Sequence, residues 1–239
     1  MLYEELTPKD FLARLKEAPI AYLPLGTLEW HGAHLPLGSD GLQSRGFFTE
    51  LAKKVGGIVL PMLFVGPDRS READGKTLYG MDFSIYDRYP QQQLPGSAYW
   101  IEEEVFSQLL ESILARLKRA GFQIVVGHGH GPSTKLLQNH IADWGEKFGL
   151  KLFVCWRDDE KDGMGIQTDH AAANETSLVM ALRPELVQME NLPTDLSEWP
   201  LGTGGEDPRV HASSEKGLKI IGMQVERMAG ILREALRSS

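Results

Sequence analysis

The chain has 239 residues, with 25 Lys or Arg against 33 Asp or Glu, a formal net charge of −8, 42% hydrophobic and 24% charged residues. That mix is ordinary for a soluble globular protein, and a chain of this length buries about 70–75% of its unfolded surface, enough for one sizeable core. The acidic balance excludes a phosphate-tracking nucleic-acid binder, the single cysteine, Cys155, excludes an internal disulfide, and no apolar run reaches the roughly 18 residues that cross a bilayer. The N-terminus lacks the basic-then-apolar layout of a signal peptide, so a cytoplasmic protein in a reducing compartment is expected.

Thr7-Pro8 predicts the start of a helix to residue 17, with Pro where its missing N–H matters least. A buried strand follows at Ile20–Leu25, then a helix over 41–54 that stops before Gly56-Gly57. A strand over 58–65 should bend at Pro61. Segment 67–96 is rich in Gly, Pro, Asp and Tyr and has no clear period. The strongest helix spans 100–119, where Ile101, Val105, Phe106, Leu109, Ile113, Leu114 and Leu117 make one apolar stripe and Gly121 ends it. A strand at 124–126, a helix over 133–147 and a strand at 150–155 come next. Helices over 175–182 and 215–236 close the chain, separated by an irregular segment at 191–210.

The strand candidates are continuously apolar, as in parallel strands covered on both faces. Their alternation with helices predicts βαβ units and a doubly wound α/β sheet in a single domain, residues 1–239. The segments 67–96 and 191–210 are expected to be lids or binding loops. Tyr79, Tyr86, Trp100 and Trp199 in or beside them are candidates to wall a pocket.

In open α/β sheets, sites form beyond the carboxyl ends of strands. There the sequence places Glu29, His31 and Asp40, then His128 and His130 in a Gly-rich stretch, then His170 and Glu175. Neutral imidazoles and carboxylates are the ligand types of Zn²⁺, Mn²⁺ or Fe²⁺. In extended chain, residues i and i+2 share a face, so Glu29/His31 and His128/His130 are each able to present two groups to one point. The set is large enough for two ions with one bridging carboxylate. His34 is expected to bond a backbone carbonyl in the Pro36 loop, His140 to be solvated on a helix, and Cys155 to be a buried inert thiol. His211 is balanced between a structural role and a substrate contact. Gly202-Thr203-Gly204-Gly205 lacks the lysine of a P-loop and reads as a flexible loop.

The run Leu23-Pro24-Leu25-Gly26-Thr27-Leu28-Glu29-Trp30-His31-Gly32-Ala33-His34-Leu35-Pro36-Leu37-Gly38-Ser39-Asp40 resembles the signature of the creatininase (creatinine amidohydrolase) family. Gly127-His128-Gly129-His130-Gly131 resembles its second motif, and His170-Ala171-Ala172-Ala173-Asn174-Glu175-Thr176-Ser177 its third. Leu94-Pro95-Gly96-Ser97 and Ser214-Glu215-Lys216-Gly217 match further family elements in order. The resemblance implies a three-layer α/β/α fold, two divalent ions (Zn, Mn or Fe), hydrolysis of a non-peptide C–N bond in a small cyclic or linear amide, and a homo-oligomer, with hexamers among relatives. Carried over by position, Glu29, His31, a bridging Asp40 and His128 are metal ligands and His170 is a catalytic acid/base. Glu175 is assigned to metal and His130 to catalysis, though either could complete the second metal site. The sequence departs from the family pattern at Trp30, His130 and Ala172, and in the 67–96 segment. Two other readings are a metal-dependent phosphoesterase, which calls for basic residues at the site (Arg69, Arg71, Lys76 and Arg209 are the few available), and a non-catalytic small-molecule binder.

Overall fold

A computed structural model describes residues 1–84, 89–157 and 162–238. Four parallel strands form the central sheet in the order β2 (Ile58–Val59), β1 (Ile20–Leu25), β5 (Ile124–Gly129), β6 (Lys151–Phe153). Strand β1 is buried at all six positions, as its unbroken apolar sequence requires. Alternation then sorts its side chains between two cores. Ile20 and Tyr22 pack with Ile124 and Val126 against α2 (Ser39–Val55), α6 (Ala173–Leu182) and α8 (Ser214–Arg237). Ala21, Leu23 and Leu25 pack with Val125 and Leu152 on the other face. There α1 (Pro8–Glu17), α3 (Glu103–Ala120), α4 (Gly131–Asn139) and α5 (Ile141–Phe148) cover them. The result is a three-layer α/β/α arrangement with a parallel central sheet.

Local signals explain most boundaries. Thr7 Oγ1 accepts the Asp10 N–H at 3.2 Å and caps α1. Gly121 closes α3 in the left-handed conformation, φ 104°. The helix expected over 133–147 is two helices, because His140 leaves helical geometry (φ −107°, ψ 8°) and its ring stacks on Trp144 at 4.5 Å. It is therefore partly covered rather than solvated. Beyond Val59 the chain no longer runs as a strand and rejoins the sheet only at a Leu25–Leu63 bridge, since Pro61 has no N–H to offer. Helix α3 begins at Glu103, three residues after its expected start, because the Trp100 backbone bridges to Gly66 instead.

The 67–96 segment is not uniformly irregular. It contains an antiparallel hairpin, β3 (Ser70–Ala73) with β4 (Lys76–Tyr79). Its turn is Asp74-Gly75, both at positive φ (51° and 73°), the turn chemistry that matches strand twist. Segment 191–210 is largely turns that end in the short helix α7 (Pro208–His211). Among the described residues no helix is long and apolar enough to cross a membrane. Tyr86 lies outside the described residues.

Candidate metal centre

Each element delivers its side chain for a local reason. Glu29 and His31 sit on the loop that leaves β1, held by a Glu29 N–H bond to the Leu37 carbonyl at 3.0 Å. Asp40 occupies the first turn of α2, where the helix dipole favours a carboxylate. His130 is the residue before α4. Glu175 lies in the first turn of α6, its carboxylate accepting the Ala171 N–H at 2.8 Å. All five are buried.

Their atoms fall into two groups that share Asp40. In one, His130 Nδ1 lies 3.2 Å from Glu29 Oε1 and 3.3 Å from Asp40 Oδ2. In the other, His31 Nε2 lies 3.4 Å from Asp40 Oδ1 and 3.6 Å from Glu175 Oε2. The far nitrogen of each ring is occupied. His31 Nδ1 donates to the Glu29 carbonyl at 3.1 Å, and His130 Nε2 donates to the Pro67 carbonyl at 3.1 Å. Those bonds account for one N–H of each ring and turn the remaining nitrogen toward two carboxylates, where the neutral ring offers a lone pair. His31 Nε2 is buried and has no hydrogen-bond partner among the described residues. Acceptors converging on acceptors are repulsive unless a proton or a cation lies between them. The donor set, imidazole nitrogen with carboxylate oxygen, fits a divalent metal at both places.

Electrostatics point the same way. Burial opposes a charged His31, but Asp40, Glu175 and Glu29 outweigh it and raise the imidazole to about 10. Burial likewise opposes charge on His130, and Glu29 and Asp40 push it well above its ordinary value. Asp40 is held well below the usual carboxylate range despite burial, by His31 and His130. Glu29 is lowered against burial by His130, His170 and His31. Burial raises Glu175 well above its usual value, with Asp40 and Asp169 adding to the effect and His31 opposing it.

His170 stacks on His31 with ring centroids 4.3 Å apart. Its Nε2 bonds the Trp30 carbonyl at 2.8 Å. Burial and the neighbouring His31 lower its pKa. The Gly202–Gly205 loop has a structural task here: residue 204 exchanges two backbone hydrogen bonds with His170, at 2.9 and 2.8 Å.

His128 joins neither group. As the fifth residue of β5 it shares the face of Ile124 and Val126, pointing toward the α2/α6/α8 side. There its Nε2 meets the Ile166 carbonyl at 3.1 Å and its ring lies edge-on to Trp156. Burial lowers it to about 4, so the ring is neutral. Gly129 breaks the alternation with φ 147°, and a Cβ there would fall 1.6 Å from the Leu25 carbonyl oxygen. His128, expected among the metal ligands, thus lies apart from the carboxylates, and His130, whose place was left open between catalysis and the second metal site, lies at them. His34 also differs from expectation: its Nε2 bonds the Thr176 hydroxyl at 2.8 Å, not a carbonyl of the Pro36 loop. His211 is exposed on α7, and Cys155 is buried in the core.

The groups open into a cavity of about 240 Å³, which Asp68, Arg69 and Gln167 also line. Tyr79 and Trp100 stack at 4.5 Å and wall a neighbouring depression that shares Asp68 and Arg69 with it. Gln167 carries an amide, which is neither titratable nor a usual ligand of these metals. Asp68 and Arg69 belong to the segment expected to be a lid or a binding loop.

A three-layer parallel α/β sheet with buried imidazole–carboxylate clusters beyond its strand ends defines a metal-dependent hydrolase. The creatininase family profile, described as creatinine amidohydrolase, matches residues 4–232. The chain belongs to that family, whose members are metal-dependent amidohydrolases. It is 26% identical to a creatinine amidohydrolase of Pseudomonas putida over 96% of this chain and 95% of that one. It is 22% identical to a 3-dehydro-scyllo-inosose hydrolase of Thermotoga maritima over 79% of this chain and 58% of that protein. A solved creatininase in a manganese form superposes with a TM-score of 0.74, at 22% identity and 98% coverage of both chains.

Proposed function

We propose that this protein is a dinuclear metal amidohydrolase that cleaves a non-peptide C–N bond of a small cyclic or linear amide. Glu29, Asp40 and His130 would hold one ion and His31, Asp40 and Glu175 the other, with Asp40 bridging. The observation that carries this reading is the pair of imidazole nitrogens, each with a backbone carbonyl bonded to the opposite nitrogen of its ring, that converge on the two oxygens of one aspartate. The manganese form of a related creatininase and the zinc form of a creatininase mutant support Mn²⁺ or Zn²⁺, metals that suit mixed imidazole–carboxylate sites.

When bound, such ions supply Lewis acidity and lower the pKa of water. The chain's own residues then manage protons and orientation. With Nε2–H donating to the Trp30 carbonyl, His170 keeps Nδ1 as a proton acceptor, and its lowered pKa keeps it neutral near pH 7. It takes one proton of the attacking water at Nδ1 and delivers it to the leaving nitrogen as the C–N bond breaks. The water's oxygen and second hydrogen remain as the hydroxyl of the new acid. Trp30 acts through its main chain: its N–H donates to Ser97 Oγ at 2.8 Å, which fixes the carbonyl that orients His170.

Phosphoester hydrolysis fits less well, since Arg69 alone among the described cavity residues carries a permanent positive charge. The reading extends to a cytoplasmic homo-oligomer, to be checked by light scattering and by cell fractionation. Metal analysis coupled to a hydrolysis panel of creatinine, formamide, lactams and a formamidopyrimidine tests the main claim. About two ions per chain and chelator-sensitive release of amine or ammonia are expected. Full turnover with fewer than one ion per chain would overturn it.

A further inference from the structure

The segment that follows Gly66 brings Asp68, Arg69, Met81 and Ser84 into the same cavity as Glu29 and His170. Arg69 is exposed there, yet it is fixed at several points. Its N–H donates to Asp68 Oδ1 at 2.7 Å and its carbonyl accepts the Gly80 N–H at 2.9 Å. Its Nη2 donates to Ser84 Oγ at 2.7 Å. The Ser84 proton is already committed to the Gly80 carbonyl, so that hydroxyl serves the guanidinium only as an acceptor. The guanidinium carbon lies 5.8 Å from the centroid of the Phe83 ring.

These contacts position the fork without neutralising it. Nε and Nη1 bond no described residue, and among the described residues no carboxylate forms an ion pair with Arg69. That is unusual beside so many carboxylates, because a cation serving only to hold the hairpin would gain from pairing with one. An arginine held in one orientation has also lost part of the rotamer freedom that binding otherwise removes.

We infer that Arg69 binds a carboxylate on the substrate, which is therefore a small amide bearing one carboxylate apart from the scissile C–N bond. This rests on the amidohydrolase reading above. A planar carboxylate matches two N–H groups on one edge of a guanidinium, and the second hydrogen of Nη2, which Ser84 does not take, completes such an edge with Nε or Nη1. A phosphate dianion is disfavoured, because Asp68 and Asp169 line the same cavity and no second permanent cation does so among the described residues. The volume of about 240 Å³ lies below the usual range of ligand cavities and restricts the substrate to a small molecule.

The test compares N-formylglycine with N-formylglycinamide, which differ in charge at one end, by calorimetry on the metal-loaded full chain. Wild-type protein is expected to bind the carboxylate probe roughly tenfold more tightly, as a charge-assisted contact at an exposed site implies. The ratio should shrink as salt is raised, fall close to one in Arg69→Gln, and take an intermediate value in Arg69→Lys. Metal content and melting temperature check that each variant is folded, and the Lys variant retains a test if the Gln variant is not. A ratio near one in wild type overturns the inference. So does a preference that survives Arg69→Gln, which would place the carboxylate on the ions. Hydrolysis of both probes is followed in parallel by chromatography. Metal-dependent cleavage with no charge preference sinks the inference alone, whereas a charge preference with no metal-dependent cleavage of either probe or of the panel sinks the amidohydrolase reading.

Discussion

The Gln167 side chain holds Asp40 by two atoms: its Nε2 donates to Asp40 Oδ1 at 3.0 Å and to the Asp40 carbonyl at 3.3 Å. Ser44, one turn further along α2, donates to Gln167 Oε1 at 2.8 Å and so fixes which end of the amide faces the carboxylate. Gln167 does this at φ 56°, a left-handed backbone conformation that a non-glycine residue adopts at a cost of about 1–3 kcal/mol. Asp40 is common to both ligand groups, so its orientation is the geometric constraint that matters most.

Gln167→Gly should separate these two effects. Relief of the backbone strain should leave the metal-free protein at least as stable as wild type in urea. Loss of the amide should weaken metal binding by roughly 10–100-fold, the usual result of losing a group that orients a ligand. Chelator competition measures the affinity, and Gln167→Ala, which keeps the strain, should lose affinity similarly. An affinity within twofold of wild type in both variants would remove Gln167 from the site.

Metal binding should release protons. In the metal-free protein His31 titrates near 10, and His130 is raised well above its ordinary value. The surrounding carboxylates thus favour the protonated form of both rings, while a metal requires the neutral imidazole. Titration with Mn²⁺ in buffers of different ionisation enthalpy should report at least one proton released per ion. The sign follows: affinity rises with pH through this range. Zero release would mean that neither ring is a ligand.

Much of this site was legible in the sequence, and the parts that were not share a physical cause. Glu29, His31, Asp40 and Glu175 announce themselves because a buried charge needs a reason, and their motifs fix their places at strand and helix ends. Whether His128 or His130 faces the carboxylates depends on the backbone path from Val126 through Gly129, which β5 includes. Glycine spacing cannot decide that, since the deciding fact is the φ of Gly129 against the Leu25 carbonyl. The role of Gln167 and the fixed orientation of Arg69 were hidden for a different reason. Each rests on contacts with residues far away in the chain or across a hairpin. The hairpin in segment 67–96 rests on the Asp74-Gly75 turn, two residues that no apolar period marks.

His34 makes the metal-free protein acid-sensitive. Burial, with His31 adding to it, lowers its pKa to about 4, against about 6.5 in the unfolded chain. The folded state thus prefers the neutral ring, and the associated stability is present above about pH 6.5. It is lost as pH falls from there toward 4, by roughly 3 kcal/mol in all at about 1.4 kcal/mol per pH unit. His34→Gln replaces the ring with a group that does not titrate and still reaches toward Thr176. In urea unfolding of chelated protein, that variant should show a shallower fall in stability between pH 6.5 and 4. An unchanged slope would place the acid sensitivity elsewhere, with His128 the next candidate.

The sharpest discrimination concerns the two histidines of the Gly-rich stretch. If His130 supplies the ligand atom, His130→Ala should lose affinity for one ion by more than the roughly 10–100-fold typical of an outer-shell loss. The metal count should then fall toward one per chain. His128 sits where a neutral, buried ring bonds the Ile166 carbonyl and fills space beside Trp156. His128→Asn should therefore lower stability by about 1–3 kcal/mol, through a poorer fit and a lost bond, while both ions stay bound. Metal analysis and thermal melts on the two variants separate the cases. If His128→Asn loses an ion while His130→Ala keeps two, the ligand assignment returns to His128 and the β5 geometry does not describe the metal-loaded protein.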